Sequence, residues 1–297
     1  MSRKYKILTT LLSLFSVVFL SSCKDSGIEI RNSLSKIVDN EFDYIEKEDN
    51  LEVKKTEKIL NDLLDKVFAD NIVQKTEFLN NQNNKNYQNE QLKKLRLMFE
   101  QCQNEIGSIS DPNEQKKKEI EFYEKNIFPF YSENWYFILK NLNIFYVHFY
   151  DWLTIPENQD LNSSHSEEFL ESLKNLKLPD DAWLTSSLLD KLEEGEESAE
   201  SYSNYIFYLS KGKIIFRIKI DKNSTKNNKL EIEPWIWYFS FSKTNNISIK
   251  LISNILHSAY VHGDQIGYDR FESDLVKKLR YGVPSKIILK IKDNYEI

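Results

Sequence analysis

The feature that most constrains the fold is a pair of alternating segments in the second half of the chain. In YIFYLSKGKIIFRIKI, residues 205–220, apolar side chains recur at every second position on both sides of Lys211-Gly212-Lys213. This alternation is typical of β-strands with one buried face, and a short break containing Gly joins two such strands in a hairpin. The sequence therefore predicts an antiparallel hairpin that turns at Gly212.

Three further segments after residue 200 favour strands. They are WIWYFSF at 235–241, ISIKLI at 247–252 and KIILKIK at 286–292. A helix is expected over residues 273–280, closed by Gly282. The sequence thus predicts an antiparallel sheet of about five strands with one face packed against helices.

In residues 51–195 the apolar side chains recur instead at the three- and four-residue spacing of helices. The predicted helices cover residues 51–78, 92–106, 110–128, 132–153, 166–176 and 180–194, with a polar loop at 80–91. SDPNE at 110–114 marks a helix start, and Pro129 favours an end near Phe128. The aromatic segment 132–153 is expected to be the central helix of a bundle. Cys102 falls on an apolar helix face, which indicates a core residue.

These patterns define the fold class as α+β, an N-terminal helical bundle followed by a C-terminal antiparallel sheet with one or two helices. The helical portion spans residues 51–195, and the α+β portion spans residues 201–297. Residues 24–200 contain 21 basic and 37 acidic side chains, whereas residues 201–297 contain 16 and 9. The two portions should therefore attract each other or present different faces to partners.

The chain begins with an export signal. Arg3, Lys4 and Lys6 precede an apolar run at 7–20 that ends in Leu-Ser-Ser-Cys at residues 20–23. Basic residues, a short apolar run and small residues are typical of a cleavable signal peptide, and the run is shorter than the about 20 residues that cross a bilayer. The sequence predicts a signal peptide over residues 1–22 and a polar tether over residues 23–50.

The Leu-Ser-Ser-Cys motif resembles the lipobox of bacterial lipoproteins. The composition, rich in Lys, Asn, Ile, Tyr and Phe with only 7 Gly and 6 Pro, is similar to that of Borrelia-type spirochaetal surface lipoproteins. The resemblance implies cleavage before Cys23, lipidation of Cys23, and anchorage in the lipid bilayer of the outer membrane at the cell surface. Cys102 would then be the remaining thiol, so no intramolecular disulfide is expected.

The sequence contains no motif that carries a known chemistry. A phosphate loop, a Rossmann glycine pattern, a zinc-spaced Cys/His set and a nucleophile elbow are all absent from it. We therefore expect a non-enzymatic protein without a cofactor. We expect no nucleic-acid partner either, because the protein is exported.

One segment concentrates residues that could bind a metal or exchange protons. HSAYVHGDQIGYDRFE, at 257–272, contains His257, His262, Asp264, Asp269 and Glu272. A spacing of five residues places two histidines poorly on one α-helix face. A metal or acid–base site and a solvated turn with a helix cap both remain open, and the glycines of the segment favour the turn.

A band of cations follows the predicted strands. Arg217 and Lys219, Lys250, and Lys290 and Lys292 are out of phase with the apolar residues of their segments. One sheet face would then be cationic and could bind a sulfated or phosphorylated polymer or an anionic membrane. The alternative is that these side chains provide solubility and protect sheet edges.

Two aromatic features also allow two interpretations. Trp235 and Trp237 could form an exposed binding patch or belong to the core. His148, within FYVHFYDW, is read as a hydrogen-bonded residue of a buried helix rather than a ligand.

The function predicted from these observations is that of a non-enzymatic, membrane-anchored surface lipoprotein for host interaction, adhesion or antigenic display. The alternative is a periplasm-facing lipoprotein that binds a small ligand or assists envelope assembly, with its aromatic side chains lining a pocket.

Overall fold

A computed structural model describes residues 51–149, 165–174, 182–200, 203–222, 228–238, 248–279 and 285–292. All of them belong to one unit, Asn50–Ile297. No helix in these ranges combines the length and the apolar character that a membrane span requires. The predicted signal peptide, the tether and Cys23 lie outside the described residues.

Helices form the first part of this unit. They are α1 (Leu51–Phe68), α2 (Ile72–Gln82), α3 (Lys85–Ile106), α4 (Pro112–Phe122), the π-helix π1 (Tyr123–Ile127), α5 (Phe128–Glu133), α6 (Trp135–Lys140) and a 3-10 turn, Leu142–Ile144. The predicted start at SDPNE is confirmed, because the Asp111 carboxylate accepts hydrogen bonds from the N–H groups of Asn113 and Glu114 at 2.7 and 3.1 Å. The helical path does not end at Phe128. Pro129 lies in the first turn of α5, where a missing N–H is tolerated.

The prediction of a polar loop at 80–91 is wrong. Helices α2 and α3 occupy this segment and leave only a short break, at which the side chain of Asn84 caps α3 by accepting from the Tyr87 N–H at 3.1 Å. Gln82 is buried, and its amide oxygen accepts from the Phe137 N–H at 2.9 Å near the start of α6. Polar side chains therefore fix helix ends here instead of remaining in solvent.

The prediction of one helix over 132–153 is also wrong in its second half. Helix α6 ends at Lys140, and strand β1 (Phe145–Phe149) follows after the 3-10 turn. Side chains in β1 are buried at every second position, at Phe145, Val147 and Phe149. His148 therefore lies on a strand, where it pairs with Ile288.

In the described part of the chain, seven strands form an antiparallel sheet in the order β2-β1-β7-β6-β5-β4-β3. The other strands are β2 (Ala182–Trp183), β3 (Lys191–Glu194), β4 (Asn204–Lys211), β5 (Ile214–Asp221), β6 (Lys229–Tyr238) and β7 (Ser285–Ile291). The hairpin of β4 and β5 is confirmed, and Gly212 in its turn has a φ of +55°. The predicted strand at 286–292 is confirmed as β7.

The remaining helices are α7 (Glu167–Lys174), α8 (Glu197–Glu200), α9 (Ile249–Leu256), the π-helix π2 (His257–Val261), α10 (Gln265–Arg270) and the π-helix π3 (Phe271–Lys278). Helix α7 confirms the prediction at 166–176. The strand predicted at 247–252 is wrong, because Ser248 caps α9 by accepting from the Leu251 N–H at 3.2 Å. The helix predicted at 180–194 is wrong, because β2 and β3 lie there. Gly282 lies outside the described residues.

Apolar side chains of the sheet pack against helices on both of its faces. On β4, Phe207 and Leu209 belong to a core cluster shared with α1, α3, α5 and α6. Their neighbours Ile206 and Tyr208 belong to a second cluster shared with α7, α9 and π3. Alternate residues of a strand point to opposite faces. The sheet therefore lies between two helical layers at β4 and β5, whereas the sequence predicted helices on one face only.

Helix α5 separates part of β7 from β6. These strands pair only at Trp235 with Lys286 and Ile236 with Ser285. Farther along β7, the buried hydroxyl of Tyr131 in α5 donates to the Leu289 carbonyl at 2.7 Å and accepts from the Leu289 N–H at 3.1 Å. The Tyr131 side chain thus replaces the hydrogen bonds that a neighbouring strand would provide.

Candidate functional site

An open cleft of about 1090 Å³ lies between α3, α4 and the paired strands β1 and β7. Its walls carry the cations Arg96, Lys116, Lys290 and Lys292, the acids Glu100 and Glu119, and the aromatic rings of Phe99, Tyr123 and Tyr146. A cleft of this volume holds small ligands in other proteins, with apolar surface for contact and a few polar groups for orientation. This cleft could hold an anionic ligand that has an apolar or aromatic part.

The polar groups of the cleft differ in their availability. Lys292 is buried, and its ammonium donates to the Leu184 carbonyl at 2.9 Å. The Lys290 ammonium lies 6.0 Å from the ring centre of Phe99. Cys102 is buried, and burial raises the pKa of its thiol to about 11. The expectation of Cys102 as a core residue is confirmed, and at neutral pH its sulfur is a thiol rather than a nucleophilic thiolate.

The structure divides the five cations of the predicted band between three places. Lys290 and Lys292 line the cleft, and Lys250 lies exposed on α9 instead of on the sheet. Arg217 and Lys219 lie together on β5. The predicted polyanion-binding face is therefore not one continuous row along the strands.

Acidic side chains of β5 itself, of β6 and of α8 lie close to the two β5 cations. The Arg217 guanidinium pairs with Glu233 of β6 and lies 3.8 Å from the Glu197 carboxylate. The Lys219 ammonium is 2.9 Å from Asp221 and 3.7 Å from Glu231. Much of the positive charge on this face is thus balanced within the protein.

A buried hydrogen-bond network continues from Arg217 to the second helical layer. The Glu197 carboxylate accepts from the Tyr208 hydroxyl at 2.6 Å and from the Ser253 hydroxyl at 2.9 Å. Burial, together with the nearby carboxylate of Glu197, raises the pKa of Tyr208 well above its ordinary value. Burial also raises the pKa of Glu233, and Arg217 offsets this only in part. The network joins β4, β5 and β6 to α8 and α9.

His165 and Glu272 form a second buried polar pair, 107 residues apart in sequence. The His165 Nδ1 is 2.9 Å from the Glu272 carboxylate, which also accepts from the Ser166 N–H at 3.0 Å and the Ser166 hydroxyl at 2.6 Å. Burial alone would raise the pKa of Glu272, but the hydrogen bonds from Ser166 and His165 outweigh it and lower the pKa.

The other side of the His165 ring faces aromatic residues. Its centre lies 4.8 Å from that of Phe169, 5.2 Å from Tyr268 and 5.5 Å from Phe271. The Ser166 hydroxyl bonds to the carboxylate and not to the imidazole, so these three side chains lack the order of nucleophile, base and acid in a catalytic triad. They join the start of α7 to π3.

His257 and His262 come together in the structure. Their Nε2 atoms are 2.9 Å apart, and the ring planes are nearly perpendicular at 89°. Asp264 has another role, because its carboxylate accepts from the Ser258 hydroxyl at 3.0 Å and the Ile266 N–H at 3.1 Å, capping α10. Across the described ranges, no three His, Cys, Asp or Glu side chains form a group that could hold a metal ion.

The two tryptophans of the proposed aromatic patch belong to β6, but their side chains lie outside what the structure describes. Other aromatic side chains pack closely in the first helical layer. The ring centre of Phe78 lies 5.6 Å from that of Trp135 and 6.4 Å from that of Tyr136, and Phe68 is 5.1 Å from Phe78. Such pairs stabilise a core beyond the area they bury.

The protein has an α+β fold with an aromatic-rich core, and sequence comparison shows that it is similar to surface proteins. A family model described as aromatic cluster surface protein matches residues 36–282. Because the match covers most of the chain, the protein belongs to the aromatic cluster surface protein family. This family indicates a location at the cell surface. Comparisons with curated proteins and with solved structures found no match.

Proposed function

We propose that the chain is a non-enzymatic surface protein, anchored to a membrane through lipid on Cys23, that exposes its α+β unit for adhesion, host-protein binding or antigenic display. The observation that carries the proposal is the match to a surface-protein family over residues 36–282. The charged start, the apolar run and Leu-Ser-Ser-Cys at residues 20–23 support the lipid anchor. More than one acyl chain gives firm membrane binding, whereas a single chain binds only marginally.

The two cysteines allow a matched test of the anchor. Cells that produce the protein are grown with labelled palmitate, and the label should enter wild type and the Cys102→Ser variant but not Cys23→Ser. Detergent phase partitioning should move the Cys23→Ser protein into the aqueous phase. Label retained in Cys23→Ser would refute the anchor.

Protease treatment of intact cells tests the exposed location separately. The protein should be degraded while a protein known to lie inside the envelope stays intact. Membrane fractionation then tests the prediction that the outer membrane holds it. If the protein resists protease on intact cells but is degraded after lysis, the surface role fails and the periplasm-facing alternative is favoured.

A second candidate function is the binding of a small anionic ligand, which the cleft between α3, α4 and β7 favours. Sulfated and phosphorylated sugars should raise the melting temperature of the wild type. The Lys290→Ala variant should lose this rise, and Lys250→Ala, which removes an exposed lysine of α9, should keep it. If the melting temperatures of both variants respond equally to the sugars, the cleft is not the binding site. Retention of these variants on a heparin column tests the predicted polyanion binding in the same way.

A further inference from the structure

The π-helix π2 explains why two histidines five residues apart meet. In an α-helix, neighbours on one face are three or four residues apart. A π-helix instead makes hydrogen bonds between residues five apart, and the His262 N–H donates to the His257 carbonyl at 3.3 Å. The same widened turn that joins their backbones brings their imidazoles together. Single π-helical turns occur frequently at functional sites.

The surrounding loop holds this turn in place. Gly263 has a φ of +64°, a left-handed conformation that glycine adopts without strain. The Asp264 N–H donates to the Ser258 carbonyl at 3.0 Å, and the Asp264 carboxylate bonds back to the Ser258 hydroxyl. Helix α10 packs so closely on π2 that a Cβ on Gly267 would lie 2.5 Å from the Ala259 nitrogen. The histidine pair is thus carried by a tightly packed segment.

The geometry of the rings indicates that both nitrogens face one point. Imidazole nitrogens bind metal ions at about 2.0–2.1 Å, so nitrogens 2.9 Å apart would subtend about 90° at a shared ion. Rings aimed at that ion would have centres about 4.5 Å apart, whereas a straight N–H···N hydrogen bond of this length would separate them by about 5.2 Å. The observed separation is 4.6 Å.

We propose that His257 and His262 form an open two-histidine site for a divalent transition metal ion, Cu²⁺ or Ni²⁺ in preference to Zn²⁺. Imidazole is a good ligand for all three ions, but an angle near 90° suits the tetragonal geometry of Cu²⁺ and Ni²⁺ better than the tetrahedral geometry of Zn²⁺. Water or a donor from a partner fills the remaining positions. Because His262 is exposed and His257 is buried beside it, the ion enters from the solvent side.

The full-length protein purified in detergent is titrated with Cu²⁺, followed by calorimetry and by electron paramagnetic resonance of the bound ion. Wild type should bind one ion with hyperfine splitting from two nitrogens. His262→Gln should bind at least about tenfold more weakly, since even the loss of an outer partner costs about 10–100-fold in metal affinity. His148→Gln, which removes a histidine of β1, is the matched control and should bind like wild type.

Three results would overturn the proposal: no Cu²⁺ or Ni²⁺ uptake by wild type at millimolar metal, unchanged affinity in His262→Gln, or a spectrum with fewer than two nitrogens. Because His262 is exposed, its substitution should leave the fold intact, which circular dichroism checks. Asp264→Asn, which alters the cap but neither ligand, should retain most of the affinity.

Discussion

Tyr131 provides the sharpest test of the structure, because one hydroxyl completes the hydrogen bonding of a buried strand. Its oxygen bonds to both the carbonyl and the N–H of Leu289, where α5 separates β7 from β6. The Tyr131→Phe variant keeps the ring and removes only this oxygen. Both backbone groups of Leu289 would then be buried without these bonds.

The cost can be estimated from these two groups. A buried polar group without a partner costs about 1–3 kcal/mol. The two groups lie on one residue and can relax together, so we expect a total loss of about 2–4 kcal/mol in the free energy of unfolding. For a protein of this size, 1 kcal/mol corresponds to about 2–4 °C, so the melting temperature should fall by roughly 4–16 °C.

Urea denaturation and thermal melting of the full-length protein measure this loss. The matched control is Tyr205→Phe, which removes a hydroxyl from a half-buried tyrosine of β4 whose ring lies 3.9 Å from the Lys222 ammonium. We expect this control to change stability by less than about 0.5 kcal/mol. If Tyr131→Phe is as stable as Tyr205→Phe, Tyr131 does not bridge Leu289 in solution and the reasoning is refuted.

Gly267→Ala should lower the free energy of unfolding by about 1–3 kcal/mol in urea, since its Cβ would meet the backbone of Ala259, whereas Gly212→Asn, in a turn that Asn tolerates, should change little. The Cys102 thiol should resist alkylation in native protein and react after unfolding, because it is buried with a raised pKa; fast native labelling would contradict this. The pKa of Glu272 is lowered in the folded state, so its contribution to stability is present above the unfolded pKa and is lost as the pH falls through the folded pKa. The free energy of unfolding of Glu272→Gln should therefore fall less steeply with decreasing pH than that of the wild type, which denaturation at several pH values measures.

Strands with clear alternation could be predicted from the sequence. The hairpin of β4 and β5 and the strand β7 combine a period of two with β-branched or aromatic residues and a turn. The start of α4 could also be predicted from the sequence, because Asp111 and Pro112 have positional preferences that depend on local geometry alone. Such features require only neighbouring residues.

The errors come from segments whose pattern fits two structures. The aromatic segment around β1 is apolar at nearly every position, so a helix and a strand satisfy it equally, and pairing with β7 decides. Residues 247–252 are too short to show a period, and the Ser248 cap with contacts to π3 and α7 selects a helix. Tertiary contacts override local preference in both cases.

The candidate sites were visible only in part. His257 and His262 were found as a pair, but α-helical spacing argued against their contact, and the π-helix could not be foreseen from residue spacing. Glu272 is among the candidates of its segment, but its pairing with His165 gives no signal in the sequence, because 107 residues separate them. The sequence predicts Lys219 as part of a cationic face, but the strand register places Glu231 opposite it on β6. Contacts between distant segments determine charge balance, and a single strand does not contain that information.

Strand β3 forms one of the two edges of the sheet, next to β4. It ends the sheet with the sequence Lys-Leu-Glu-Glu, and Lys191 and Glu194 are exposed. With the proposed lipid anchor, copies of the protein would move in two dimensions in similar orientations, so their β3 edges would meet often. Charged side chains on a short edge strand oppose pairing between such edges. In a dense layer of the proposed lipid-anchored protein, pairing between copies through the β3 edge is therefore disfavoured.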